Sequence, residues 1–228
     1  MLEIKCNDLT IKYSIHHNFF KTEYVRGINK ISVEIKEGER VGILGKNGSG
    51  KSTFLRTLAG VYKPKHGSLK ISPNIKTLFD LSNGLDVDAS AYENIKLLMT
   101  VHDIPFSEYQ DLVQYVENFT ELGNDLKRPV RTYSTGMKLR FIFSVSTFNL
   151  KKAILIMDEI INAGDKYFRL KAQKKINQLV DNSGILILAS HSIAVLENYC
   201  QRGLVFNNGE IIFDGLINDA IKFYQNLK

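Results

Sequence analysis

The chain has 228 residues, of which 44% are hydrophobic, so it is long enough and apolar enough to bury a sizeable core. Its two cysteines, Cys6 and Cys200, form no CxxC pair, which argues against a disulfide scaffold or a structural zinc site and fits a reducing compartment. No apolar run approaches the ~18–20 residues that cross a bilayer, and the first residues lack the apolar core of a signal peptide. We therefore expect a protein that is soluble by itself and that needs a partner for any role at a membrane.

The net charge is +6, and part of the surplus is concentrated in one stretch. Residues 127–140 contain no acidic side chain and carry five cations, which are Lys127, Arg128, Arg131, Lys138 and Arg140. A basic surplus suits nucleic acid, phosphate ligands or an anionic membrane surface, and it is equally compatible with a surface that binds nothing specific. Charge alone leaves both interpretations open.

Two segments near the N-terminus alternate between apolar and polar residues. The apolar positions are Leu2, Ile4, Cys6, Leu9, Ile11 and Tyr13 in the first segment, and Ile31, Val33 and Ile35 in the second. Alternation with a period of two, closed by a glycine turn, predicts antiparallel strands with one wet face. The polar and aromatic stretch between them, residues 16–26, is predicted to be a long loop.

A short apolar strand, residues 40–44, runs directly into a glycine-rich loop with the pattern Gly45-x-x-x-x-Gly50-Lys51-Ser52, and a helical pattern follows. This order is typical of a phosphate-binding P-loop, whose backbone N–H groups and helix N-terminus cradle phosphate oxygens. Lys51 is expected to reach the β and γ phosphates, and the Ser52 hydroxyl is expected to hold Mg²⁺. An ordinary glycine-rich turn is a weak alternative in this context. The candidate nucleotide-binding residues are Gly45, Asn47, Gly48, Ser49, Gly50, Lys51, Ser52 and Thr53.

The rest of the chain predicts a mostly helical insert, two buried parallel strands, a hairpin and a final helix. They are assigned to residues 94–126, 153–157 and 185–189, 204–213, and 217–226 in that order. We predict an α/β fold with a P-loop NTPase (RecA-like) core, an N-terminal antiparallel β subdomain and an inserted α-helical subdomain. Residues 1–228 form a single domain in this prediction, with the helical subdomain at about 94–150.

Two adjacent carboxylates, Asp158 and Glu159, end the first buried strand. A carboxylate at this place can ligate Mg²⁺ through water, which suits Asp158, and the next one can act as the general base on an attacking water, which suits Glu159. A solvated strand end without a chemical role is the alternative for the pair taken alone. The position downstream of a P-loop favours the catalytic interpretation.

The segment Tyr133-Ser134-Thr135-Gly136-Met137 resembles the signature sequence LSGGQ of ABC ATPases, from which it departs at Tyr133, Thr135 and Met137. A hydroxyl and free N–H groups at a helix N-terminus suit a γ-phosphate, and Ser134 and Gly136 provide them. An ordinary N-cap serine is the alternative. In the family this loop binds the ATP held by the other subunit, so the resemblance implies a head-to-tail homodimer with two ATP molecules between the subunits.

The resemblance also implies roles for residues outside these segments. Asp165 lies where ABC ATPases carry the D-loop, and His191 lies where they carry the histidine that contacts the γ-phosphate. The family stacks an aromatic residue from upstream of the P-loop on adenine. Tyr13 is the favoured candidate and Tyr24 the competitor, and simple packing remains the alternative for both.

The resemblance includes one departure at the metal site. ABC ATPases carry a glutamine in the Q-loop, which touches Mg²⁺ and relays motion to the membrane partner, but no glutamine lies between residues 78 and 95. The sequence Asn83-Gly84-Leu85-Asp86 resembles the polysaccharide-exporter branch and places Asp86 at the Q-loop position. Asp86 is therefore a third candidate metal ligand beside Ser52 and Asp158.

The chain resembles the ATPases that export capsule, O-antigen or teichoic-acid chains, in the short form without a C-terminal carbohydrate-binding domain. This implies ATP and Mg²⁺ as cofactors, an integral membrane permease as partner, and a peripheral location on the cytoplasmic face of the bacterial inner membrane. The basic stretch at 127–140 would then suit polyanionic glycans or anionic lipid headgroups. The alternatives are an ABC ATPase for another cargo, such as a lipid, a peptide or an ion, and a non-transport ABC protein acting on DNA or ribosomes. We expect no direct nucleic-acid binding, and a P-loop kinase or GTPase would leave the signature segment unexplained.

Overall fold

The computed structural model describes residues 1–18, 21–79, 84–150, 152–158 and 166–227, with the backbone alone at 14–18, 21–26 and 166. The chain divides into two compact units. The first comprises Met1–Phe79, Lys152–Ile160 and Asn182–Lys228, and the second comprises Asp80–Lys151 and Ile161–Asp181. The second unit thus begins before residue 94 and includes a segment beyond residue 150.

The elements alternate between strands and helices along most of the chain. In chain order they are β1 (Glu3–Asn18), β2 (Lys21–Lys36), β3 (Arg40–Gly45), α1 (Lys51–Leu58), β4 (His66–Ile71), β5 (Ile75–Leu78), α2 (Ala91–Val101), α3 (Tyr109–Thr120), α4 (Thr135–Ser146), β6 (Ile154–Asp158), α5 (Lys166–Asn182), β7 (Ile185–Ala189), α6 (Ile193–Tyr199), β8 (Arg202–Asn207), β9 (Glu210–Leu216) and α7 (Ile217–Asn226). Among the described residues, no helix combines the length and the apolar character that crossing a membrane requires.

The first unit contains an antiparallel sheet of order β2-β1-β4. The prediction of a loop at residues 16–26 is wrong, because β1 and β2 stay paired there, with Ser14 opposite Tyr24 and His16 opposite Thr22. Alternation detects a strand only where one face is buried. Beyond Ile11 and Ile28 most residues of the hairpin are polar, with a few β-branched and aromatic ones that favour extended backbone, so the strands continue where the alternating pattern no longer indicates them.

A second sheet of the same unit has the order β5-β6-β7-β3-β8-β9. All neighbours pair in parallel except β8 and β9, which form the predicted hairpin. Ala189 at the end of β7 lies opposite Asp158 on one side and Ile43 on the other. The register therefore aligns the carboxyl ends of β6, β7 and β3 at one edge, where ligands of open α/β sheets bind.

The two sheets and α1 share one hydrophobic core. Ile4 and Ile35 of the antiparallel sheet, Ile43 and Ile187 of the parallel sheet, and Phe54 of α1 are all fully buried in it. Burial of a side chain of this size contributes about 1.5–3 kcal/mol. The core thereby fixes the strand that precedes the glycine-rich loop and the helix that follows it.

The second unit has its own core, formed by α2, α3 and α4 around Leu98, Leu112 and Phe141. A capping box starts α2, since the Ser90 side chain accepts from the Glu93 N–H while the Glu93 carboxylate accepts from the Ser90 N–H. The predicted fold class is confirmed: an α/β core carries an antiparallel β part and an inserted helical part.

Gly67 tests how closely β4 packs against the backbone of β1 in the antiparallel sheet. It has φ +80°, and a Cβ there would collide with the carbonyl oxygens of Asp8 and Asn7. Gly67→Ala is expected to lower the free energy of unfolding by about 3 kcal/mol, from backbone strain and from this collision. The matched control Gly60→Ala has φ +79° and open space, and should cost only about 1 kcal/mol. Urea denaturation of both variants measures the difference, and equal losses would contradict the packing argument.

Candidate functional site

The loop between β3 and α1, here named the phosphate loop (residues 45–53), has the geometry of an anion cradle. Gly50 is the N-cap of α1, with φ 105°, and a Cβ on it would lie 2.8 Å from the Gly27 carbonyl oxygen. The first N–H groups of a helix have no intrahelical partner, and the helix dipole favours negative charge at this end. Glycine at position 50 is therefore required by the left-handed backbone and by the close approach of the Gly27 carbonyl, and it lets α1 begin inside the loop.

Lys51 places its charge inside the phosphate loop. Its Nζ donates to the carbonyl oxygens of Gly45 (2.7 Å) and Lys46 (3.0 Å), and the residue is 9% exposed. A largely desolvated ammonium gains strongly from an anionic partner. The lysine therefore lies next to the position that phosphate oxygens would take in a P-loop.

Ser49 carries the one buried side-chain polar atom without a partner among the described residues. Its Oγ lies within the phosphate loop, and a Cβ on Gly45 would lie only 2.5 Å from it. A buried hydroxyl without a hydrogen bond is destabilising, and such groups need a physical reason. A phosphate chain in the loop provides that reason, so this orphan atom supports the predicted nucleotide.

Ser52 and Asp158 face each other across the carboxyl edge of the parallel sheet. The Ser52 hydroxyl donates to Asp158 Oδ2 at 3.3 Å. Hydroxyl and carboxylate oxygens are ligands that suit Mg²⁺, which usually takes one or two protein groups and completes its shell with phosphates and water. Within the described part of the chain no cluster of three or more His, Cys, Asp or Glu side chains could hold a metal by itself. Ser52 and Asp158 offer two oxygen ligands of the kind that Mg²⁺ takes together with phosphates and water.

His191 is exposed two residues after Ala189, the end of β7. Strand β7 lies between β6, which ends at Asp158, and β3, which leads into the phosphate loop. His191 follows the end of β7, so its backbone emerges at the same edge of the sheet as Asp158 and the phosphate loop. Glu159 is the next residue after Asp158 in the sequence, but Glu159 and Asp165 both lie outside the described residues. Their assigned roles stay predictions.

The phosphate loop is held from behind by residues that sequence reasoning missed. The Gly209 N–H donates to the Ser49 carbonyl at 2.9 Å, and the Asn29 N–H donates to the Gly209 carbonyl at 2.8 Å. Gly209 is the turn of the β8–β9 hairpin, which the dipeptide Asn208-Gly209 predicts. The sequence signals the turn, but not the pairing of that turn with a loop about 160 residues earlier.

Tyr13 lies beside the start of α1. Its hydroxyl donates to Thr53 Oγ1 at 2.8 Å, and its ring meets the Tyr62 ring at 79° with 5.3 Å between centroids. Burial, and after it the interaction with Tyr62, raises the pKa of the Tyr13 phenol, while the hydrogen bond with Thr53 acts in the opposite direction; the phenol is therefore protonated at neutral pH. The side chain of the competitor, Tyr24, lies outside the described residues, and adenine stacking stays a prediction for both.

The signature segment begins α4 in the second unit. Ser134 is the N-cap, and its Oγ accepts from the Met137 N–H at 3.2 Å. A Cβ added to Gly136 would meet only the Ser134 Oγ, at 4.0 Å, so the space beside this turn is open. Tyr133 is buried and donates its hydroxyl to the Asp125 carbonyl, and burial raises its pKa to about 12. The departure from leucine at position 133 is thus a change in core packing.

Asp86 has a local structural role. Its carboxylate accepts from the Asp88 N–H at 2.9 Å, and its own N–H donates to the Asn94 side-chain oxygen at 2.8 Å. Asn94 is fully buried, and its amide also donates to the Asp86 carbonyl. The turn before α2 is therefore fixed by hydrogen bonds, while the predicted contact of Asp86 with a metal stays a prediction.

Three of the five cations in residues 127–140 have partners inside the second unit. Arg128 pairs with Asp125 at 2.9 Å, and Arg131 pairs with Asp88 at 3.0 Å. The Arg140 guanidinium donates to the Thr120 carbonyl and lies 5.4 Å from the centre of the Phe168 ring. These contacts give three of the five cations a structural explanation and weaken the hypothesis that the stretch binds a polyanion.

Comparison with known proteins agrees with this geometry. The family model described as ABC transporter matches residues 28–162, more than half of the chain. The chain is 36% identical over 187 residues to the O-antigen export system ATP-binding protein RfbE of Yersinia enterocolitica, covering 82% of this chain and 78% of RfbE. It is 33% identical over 211 residues to the teichoic acids export ATP-binding protein TagH of Shouchella clausii, covering 92% of this chain but only 56% of TagH.

Among solved structures, the dimeric ATP-binding cassette MJ0796 bound to ADP and Pi superposes on this chain with a TM-score of 0.73 at 22% identity. The superposition covers 94% of this chain and 98% of that chain, and it shows the fold.

The orphan hydroxyl of Ser49 can be tested without any ligand. Ser49→Ala is expected to raise the free energy of unfolding of the nucleotide-free protein by about 1 kcal/mol, because it removes a desolvated group that has no hydrogen bond. The matched control is Ser144→Ala, since Ser144 is also buried but donates to the Phe141 carbonyl at 2.6 Å. That variant should lose about 1 kcal/mol. Urea titrations of both variants give the signs, and a clear loss at Ser49 would contradict our interpretation.

Proposed function

The chain belongs to the ABC transporter family, and from this membership we propose that it is the ATP-binding and ATP-hydrolysing subunit of a membrane exporter. The observation that carries the proposal is the hydrogen bond between Ser52 and Asp158 at the carboxyl edge of the parallel sheet, beside the phosphate loop and the start of α1. That arrangement combines an anion cradle with oxygen ligands for a cation in one place. ATP with Mg²⁺ meets both requirements.

Each residue of this edge has an assigned role in the proposed reaction. Lys51 binds the β and γ phosphates, and Ser52 with Asp158 would hold Mg²⁺, which would supply positive charge against the phosphates. Glu159 orients and deprotonates the attacking water, while His191 contacts the γ-phosphate. Such proton transfer by a positioned carboxylate contributes about 10²–10⁴-fold in rate.

The working form in this proposal is a head-to-tail homodimer that encloses two ATP molecules. Ser134 and Gly136 of one subunit bind the ATP held by the phosphate loop of the other, and Asp165 takes part in the contact between subunits. The open space beside Gly136 and the N-cap position of Ser134 support this role, since a helix N-terminus with an unobstructed approach suits a phosphate.

The proposed cargo is a lipid-linked polysaccharide or a teichoic-acid-type polymer. RfbE carries O-antigen export in its name and TagH carries teichoic acid export, and both match more than four fifths of this chain. The chain acts at the cytoplasmic face of the inner membrane through a separate permease. Asp86, at the Q-loop position, contacts the metal site and relays motion to that permease in this proposal.

The catalytic role of Glu159 can be separated from nucleotide binding. Glu159→Gln is expected to bind ATP normally and to form a stable dimer with ATP. Its rate of ATP hydrolysis should fall by a factor of about 100 or more. Lys51→Ala should not form that dimer, because the cation that holds the phosphates is missing. Glu197→Gln makes the same exchange at an exposed position of α6 and should behave as wild type. Phosphate release and size-exclusion chromatography measure these properties, and wild-type hydrolysis by Glu159→Gln would exclude it as the general base.

Export itself is tested by what accompanies the protein and by what accumulates without it. Purification from native membranes in mild detergent is expected to yield an integral membrane protein with several spans. Cells that lack the chain should accumulate a lipid-linked glycan polymer on the inner side of the membrane. If a permease copurifies but no glycan polymer accumulates, the proposed cargo is wrong while the proposed role in a transporter stands. Association with DNA or ribosomes, and with no membrane protein, would overturn the exporter proposal.

A further inference from the structure

The β1–β2 hairpin contains an irregularity directly above the phosphate loop. Ile11 lies opposite Ile28, but the next residue, Lys12, lies opposite Arg26. Two steps on β2 therefore match one step on β1, and Gly27 is the extra residue of a β-bulge. Bulges bend a strand and re-aim neighbouring side chains, and they occur often next to functional sites.

The bulge brings Gly27 into contact with both sides of the ligand cradle. A Cβ on Gly27 would lie 2.6 Å from Tyr13 Cε2 and 2.8 Å from Thr53 Cγ2. The Gly27 carbonyl oxygen would in turn lie 2.8 Å from a Cβ on Gly50. Only a glycine leaves room for Tyr13 and Thr53 to meet against the backbone at the start of α1.

The contact that this packing permits is a hydrogen bond with a defined direction. The Tyr13 hydroxyl donates to Thr53 Oγ1 at 2.8 Å, and the Tyr62 ring fixes the Tyr13 ring from another element. A threonine hydroxyl that accepts one hydrogen bond still has its own proton to donate. Tyr13 thus orients the Thr53 hydroxyl as a donor, at the third residue of the helix that faces the phosphates.

We propose that Tyr13 is a positioning residue of the phosphate loop, whose hydroxyl fixes the Thr53 side chain so that it donates to the phosphate chain of the bound nucleotide. This inference rests on the proposed nucleotide site and adds a role that adenine stacking does not contain. Stacking depends on the ring and on a base, whereas positioning depends on the hydroxyl and on phosphates. The two roles therefore respond differently to the same substitutions.

The experiment compares ligands with and without a base. Tyr13→Phe keeps the ring and removes the hydroxyl, so we expect affinity for ATP, GTP and inorganic tripolyphosphate to fall by the same factor, about fivefold. Tyr13→Ala should lower the affinity for tripolyphosphate by no more than Tyr13→Phe does, because the phosphate ligand has no base on which the ring could stack. Calorimetric titration measures all three ligands, and thermal unfolding without ligand reports any loss of fold.

A double-mutant cycle shows whether the effect passes through Thr53. Thr53→Val removes the acceptor at nearly constant shape, and Tyr13→Phe should then have no further effect on tripolyphosphate affinity. Thr53→Ser keeps the hydroxyl and should retain the fivefold response to Tyr13→Phe. The matched control is Tyr115→Phe in the second unit, where the tyrosine hydroxyl also contacts a threonine, Thr147, at 3.5 Å. It should leave all three affinities unchanged.

The outcomes separate this inference from the proposed function. Wild-type affinity of Tyr13→Phe for tripolyphosphate would overturn the positioning role, and so would additive losses in the cycle. A loss for ATP alone in Tyr13→Ala, with Tyr13→Phe unaffected, would assign the ring to adenine instead. Failure of the wild-type protein to bind any of the ligands would reject the nucleotide site itself, whatever the variants do.

Discussion

The phosphate loop must offer its backbone N–H groups to a ligand and still be rigid, and this requirement shapes the surrounding structure. The loop is held through its carbonyl oxygens: the Lys51 Nζ binds those of Gly45 and Lys46, the Gly209 N–H binds that of Ser49, and the Phe54 N–H binds that of Gly50. Carbonyl groups carry the same polarity as phosphate oxygens, so their engagement inside the fold leaves the positive ends of the peptide dipoles for the anion. The hairpin turn at Gly209 and the bulge at Gly27 are long-range supports of one local cradle.

Local chemistry is the part of this protein that its sequence predicts well. The strand, glycine-rich loop and helix around Lys51, the strand that ends at Asp158 and the final helix at Ile217–Asn226 follow from patterns of a few neighbouring residues. The extended β1–β2 pairing and the contact of Gly209 with Ser49 were not predictable in this way. Both depend on pairing between distant segments, and neither leaves a periodic pattern in the chain.

The signature segment departs from the family pattern at one position that is buried in the core. Tyr133 differs from the leucine of the family pattern, yet it is buried in the core of the second unit, and its hydroxyl has the Asp125 carbonyl as partner. Burial of an aromatic ring with a satisfied hydroxyl replaces one apolar packing solution by another. Ser134 and Gly136 present a hydroxyl and an open backbone instead of packing, and they match the pattern. The change at Tyr133 therefore alters core packing and leaves the hydroxyl of Ser134 and the open backbone at Gly136 in place.

Net charge by itself says little about where an anion binds, for a related reason. Arg128, Arg131 and Arg140 lie close together in the sequence, but each has a partner outside the basic stretch: Asp125 three residues before Arg128, the more distant Asp88 for Arg131, and the Thr120 carbonyl for Arg140. Exposed ion pairs of this kind contribute little to stability, yet they remove the field that an unpaired cluster would present. A charge count does not distinguish Lys51 from other lysines, but its burial beside two carbonyl groups means that it gains strongly from a phosphate. The environment of a charge, and not the number of charges, indicates where this protein binds an anion.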